Sequence, residues 1–139
     1  SPQPTASTLF SRASELRLAG QNAAAIATFK RLQSLYPHSR ESETSHLLIA
    51  RLYSASAQPE LAVLEFGRYL RSGGAAQEEA LVGHATALQR LGRATEEAAD
   101  WQRLLQQFPR SLYGSEATRR LAALQRPQAK EYPPDSGRR

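Results

Sequence analysis

Three histidines, two adjacent glutamate pairs and a scatter of arginines are the side chains here that could do chemistry, and their spacing decides how much. His38, His46 and His84 could ligate a metal by type. No two of them stand three or four residues apart, the helical spacing that sets two rings on one cation. They read as surface or interhelical histidines. Glu78-Glu79 and Glu96-Glu97 could offer a general acid and a base, yet neighbours on a helix point in different directions. Each pair reads as a solvated face. The chain has no Cys, which removes disulfides, thiol catalysis and cysteine-bound zinc and leaves the redox compartment open. No phosphate-cradling glycine loop, nucleophile elbow or Ser/His/Asp set is present, and Gly73-Gly74 is a connector. These residues predict no enzyme, no cofactor and no metal.

Charge gives a second class of partner to weigh. The net charge is +5, but residues from Ala117 onward carry +4 of it, through Arg119, Arg120, Arg126, Lys130, Arg138 and Arg139. The body is close to neutral. Stacking aromatics are not interleaved with these cations beyond Tyr132, so nucleic-acid binding through the C-terminal end ranks third among the functions considered. Apolar residues make up 40% of the chain and charged ones 22%, the balance of a folded soluble domain. No apolar run approaches the ~18 residues of a membrane helix, so membrane attachment would come only from a segment outside this chain.

Helical periodicity extends from about Thr5 to Leu124, and nothing reads as a strand. Leu9, Ala13 and Leu16 form one stripe, ended by Gly20. A second helix over 22–35 carries Ala25, Ile26, Phe29 and Leu32 before Tyr36-Pro37. Ser39 is placed to cap a third, over 40–56, with Leu48, Ile49, Leu52 and Tyr53 inward. Pro59 suits the first turn of a fourth. A fifth, over 76–91, buries Leu81, Ala85 and Leu88. A sixth, over 95–108, buries Ala98, Trp101, Leu104 and Leu105. Ser111 is placed to cap a seventh, with Leu112, Ala117, Leu121 and Leu124 inward and Arg119-Arg120 on the water side.

These helices repeat. Phe29, Phe66 and Trp101 stand 37 and 35 residues apart, each on the second helix of a hairpin. Ala13, Ala50 and Ala85 recur on the first helices, and Ala25 and Ala62 on two of the second helices; in the third copy that place falls on Glu97. The pattern resembles the tetratricopeptide repeat, in which these small residues let paired helices approach closely. The resemblance implies an all-α fold: three stacked helical hairpins at about 8–37, 40–72 and 75–109 with a capping helix over 111–125, a right-handed α-solenoid. Residues 1–7 read as a linker remnant of a larger or processed protein, and 126–139 as a mobile basic tail.

The phrases Tyr36-Pro37-His38-Ser39 and Phe108-Pro109-Arg110-Ser111 resemble the periplasmic branch of that superfamily, of the TolA-binding coordinator and outer-membrane assembly lipoprotein type. The runs Phe66 to Leu70, Glu78 to Gly83 and Leu91 to Leu105 are similar to C-terminal domains of FecR-like and anti-sigma-like membrane regulators. An Arg/Lys ratio of 16 to 2 suits a high-GC genome.

The resemblance further implies that the first helices line a concave groove. Its residues are then Phe10, Ser14 and Arg17 in copy one, Leu47, Arg51 and Ser54 in copy two, and Val82, Thr86 and Gln89 in copy three, with Ser7, Thr44 and Glu79 beside them. Phe10, Leu47 and Val82 are candidates for apolar exposure, and Arg17 and Arg51 for charged contacts at the edge. The function so implied is binding of a protein or peptide partner on the periplasmic side of an envelope regulator or assembly factor, with a cytoplasmic setting also open. Self-association is the alternative.

Overall fold

The computed structural model describes residues 2–126, which form seven helices and, among the described residues, no strand. They are α1 (Ala6–Leu18), α2 (Asn22–Leu35), α3 (Arg40–Ala55), α4 (Pro59–Ser72), α5 (Gln77–Arg90), α6 (Ala94–Gln107) and α7 (Gly114–Gln125). Of the tail expected over 126–139, residues 127–139 lie outside the described residues.

Local chemistry explains most boundaries. The Thr5 hydroxyl accepts the Thr8 amide N–H to open α1, and Ser39 does the same for Ser42 at α3. Pro59 occupies the first turn of α4, where a missing amide hydrogen costs nothing. Gly20 holds φ +76°, a left-handed conformation that turns the chain into α2. Residues 4–7, expected in a linker, belong to the first hairpin: α1 begins at Ala6, and the Tyr36 hydroxyl donates to the Pro4 carbonyl at 2.7 Å.

The helices pair as α1–α2, α3–α4 and α5–α6, each pair packs on the next, and α7 covers α6. Ala13, Ala25, Ala50, Ala62 and Ala85 are fully buried, so the helices close on alanine as the repeat requires. One apolar cluster joins the first two hairpins to α5 through Phe29, Ile49, Phe66 and Leu88. A second joins Leu81, Ala85, Trp101, Leu104 and Ala117 of α5, α6 and α7. The first helices also meet across the stack, α1 with α3 and α3 with α5, whereas the backbones of α2 and α4, and of α4 and α6, stay apart. Close contact on one side and splay on the other bend the stack toward the first helices.

Four expectations fail here. Glu97 is not solvated: only 1% exposed, its carboxylate accepts two hydrogen bonds from Arg120, each 2.8 Å, and one from the Trp101 indole at 2.8 Å. Arg120 accordingly does not face water as expected but reaches inward to Glu97. Ser111 does not cap the last helix. Its hydroxyl donates to Glu78 at 2.9 Å and accepts the Tyr113 N–H, and α7 starts only at Gly114. Leu112, left in that turn, is 96% exposed instead of inward.

Two histidines tie helices together. His46 Nδ1 on α3 meets Glu65 of α4 at 2.6 Å, and His84 Nδ1 on α5 meets Asp100 of α6 at 2.6 Å. Glu65 also accepts from Arg68 at 2.8 Å and is 2% exposed, so this buried carboxylate is paired from two sides.

Candidate functional site

On the inner side of the bend, α3 and α5 flank an open cavity of about 430 Å³. Val82, Thr86 and Arg90 lie on α5 at successive four-residue steps and therefore share one face. Arg51, Ser54 and Ala55 face them from α3, and the ring of Phe66 on α4 closes the floor. Gly83 makes this floor possible, since a Cβ there would overlap the Phe66 ring. Phe66 itself is 3% exposed.

The rim is polar and already cross-linked. Arg51 on α3 donates to the Glu79 carboxylate on α5. The Arg90 guanidinium donates to the Ser54 carbonyl at 3.1 Å, fastening α5 to the C-terminal end of α3. Thr86 spends its hydroxyl on the Val82 carbonyl of its own helix at 2.8 Å. Tyr113, from the turn before α7, completes one end and is 41% exposed.

Of the nine residues expected in a groove, Arg51, Ser54, Val82 and Thr86 line this cavity, with Glu79 beside them. The other five do not. Leu47 is 4% exposed and belongs to the core, which corrects its expected exposure. Phe10 is half-buried, its ring 5.7 Å from that of Phe29 in an edge-on arrangement. Ser14 and Arg17 on α1 are half-buried one tier away, and Gln89 on α5 is exposed beyond the cavity.

Sequence reasoning missed Arg90, Gly83, Phe66 and Tyr113. Arg90 stands one turn beyond Thr86 and could have been found by extending the helical face. Gly83, in a helix interior where glycine is unfavourable by about 1 kcal/mol, was also a usable signal. Phe66 reads as core from spacing alone. Tyr113 arrives from a connection whose path no local pattern gives. Among the described residues, no group of three His, Asp or Glu is placed to hold a metal ion. No described helix is long and apolar enough to cross a membrane.

Comparison with known structures bears on the fold. The first tetratricopeptide domain of Spaghetti (RPAP3) bound to the HSP90 peptide SRMEEVD superposes with a TM-score of 0.67 at 18% identity, covering 86% of this chain and 89% of that one. The Yersinia enterocolitica type III secretion chaperone SycD, in complex with a peptide of the translocator YopD, superposes with a TM-score of 0.69 at 16% identity, covering 88% and 94%. At these identities the likeness is one of architecture: an all-α tetratricopeptide solenoid. No curated protein gives a significant match. The model of the family described as YfiO, outer membrane lipoprotein, matches residues 2–132.

Proposed function

Because the chain belongs to the YfiO family of outer membrane lipoproteins, we propose that it is a protein-interaction module of the bacterial envelope, holding a peptide or helix of a partner between α3 and α5. The mechanism is equilibrium binding with no bond chemistry. One observation carries the reading: a preformed channel with an apolar floor of Phe66, Val82 and Ala87, rimmed by Arg51, Glu79 and Arg90, on the inner side of the bend. Such a floor desolvates an apolar anchor residue, and the two guanidinium groups suit acidic residues flanking it. Two proteins of the same architecture each hold a peptide, which supports a peptide as the occupant here. Family membership supports a periplasmic-side setting, within an assembly factor or an envelope regulator.

Photocrosslinking tests this. The photoreactive amino acid p-benzoylphenylalanine replaces Val82 or Thr86 in the native host, and Ala27 on the opposite side of the stack serves as control. Adducts from 82 and 86 to one stretch of a single polypeptide, absent from 27, are the expected result. Adducts from 27 with none from 82 or 86 would overturn the groove.

A further inference from the structure

The outer side of the bend holds a second cleft, and its chemistry differs. Where α4 and α6 splay, α5 forms the base of an opening of about 380 Å³. Gly67 sits in the interior of α4, and its missing side chain leaves a bare patch of backbone. Arg71 Nη1 and His84 Nε2 converge on that patch, 3.3 and 3.8 Å from the point a Cβ would occupy. His84 is directed there because its Nδ1 is committed to Asp100 at 2.6 Å. It also lies two residues from both Val82 and Thr86, which turns it to the opposite side of α5 from the groove.

Arg103 on α6 lines the same cleft, as do Arg93 and Glu96, which are paired with each other at 2.7 and 2.8 Å. Among the described residues no carboxylate lies within salt-bridge distance of Arg71 or Arg103. Three guanidinium groups and two carboxylates therefore wall the opening, one positive charge in excess. Leu64, 53% exposed, and the half-buried Leu70 give it an apolar flank.

We propose that this α4–α6 cleft is a binding site for a carboxylate carried on a short aliphatic stem, such as an acidic side chain of an incoming polypeptide. The two unpaired guanidinium groups take the carboxylate, since charge-assisted N–H to oxygen bonds are the strong ones. Leu64 and Leu70 take the stem. A monoanion neutralises the excess charge, whereas a phosphate dianion would overshoot it beside Glu96 and Asp100. His84 Nε2 stands beside the guanidinium groups on the bare backbone of Gly67. This site is independent of the α3–α5 groove.

The test is an NMR titration of the whole chain with sodium butyrate, and separately with inorganic phosphate, at constant ionic strength. Butyrate is expected to give saturable shifts at the Arg71 and Arg103 Nε–H and the His84 ring. An Arg71→Gln/Arg103→Gln double variant should bind about tenfold more weakly or worse. Gly67→Ala, which plants a methyl group at the point of convergence and favours the helix, should also weaken binding while the fold persists. Shifts that never saturate, or that are as large at exposed Arg31, would overturn the site. A stronger response to phosphate would overturn the choice of carboxylate, and unchanged binding in the arginine variant would overturn the residues.

Discussion

At Glu97 a carboxylate stands where the two earlier hairpins have Ala25 and Ala62, and its neighbours make that exchange tolerable. Burial pushes the Glu97 carboxyl up, but the paired hydrogen bonds from Arg120, the Trp101 indole and the charge of Arg120 outweigh it and hold the group below the usual carboxylate range. Arg120 is raised in turn by the same bonds, against the opposing effect of its own burial. Arg120→Ala leaves a buried charge unpaired and is expected to cost about 3 kcal/mol in urea unfolding, the lower part of the range because Arg120 is a quarter exposed. Glu97→Ala should cost less, since it restores the small residue and lets Arg120 turn to water. A carboxyl whose native pKa is depressed stabilises fully above its unfolded value and loses that contribution as pH falls through the native one. Acidification below the ordinary 4.5 should therefore lower the melting temperature of the native chain more steeply than that of Glu97→Gln, closing the gap between them.

For helices, the alternation of alanine and aromatic was readable because a 35-residue period fixes which turns must touch. Ala13, Ala50 and Ala85 are all fully buried for that reason. Leu47 was misread because α3 packs against α1, α2, α4 and α5, so its buried arc is wider than the stripe that one partner would require. Ser111 and Leu112 were misread because the start of α7 is set by Ser111 reaching Glu78, 33 residues earlier in the chain, which no local capping signal contains. In the candidate groove, Arg51, Ser54, Val82 and Thr86 followed from helical phase, whereas Tyr113 depended on a path between helices. Gly83 and Gly67 show how packing overrides propensity. Gly83→Ala forces a methyl group into the Phe66 ring; overpacking of about 1–3 kcal/mol exceeds alanine's helical advantage of about 1 kcal/mol. A lower melting temperature is expected. Gly67→Ala meets the flexible end of Arg71 at 3.3 Å and His84 at an ordinary contact distance of 3.8 Å, and should match or exceed the native melting temperature.

Across the whole array, the described residues form two apolar clusters that share α5, and the last cluster is covered by α7. α7 contributes Ala117, Leu121 and Leu124 to that cover and Arg120 to Glu97. Truncation before Gly114 strips Trp101 and Leu104 of one wall, as removal of a terminal cap does in any stacked array. Hydrogen exchange should then accelerate through α5 and α6 while α1, α2 and α3 keep their protection. Equal acceleration throughout would mean that the two clusters form one cooperative unit.

Among the described residues each hairpin touches only the next, so no helix bridges the first tier to the last. Force applied between the two ends must pass through every layer in series, and the weakest seam yields first. Drawn out in an optical trap, the chain should lengthen as a staircase, beginning with the lid held by Arg120, with the doubly clustered α5 resisting longer. A ligand seated across α3 and α5 would act as a rivet on that inner seam and raise the tension of the later steps alone.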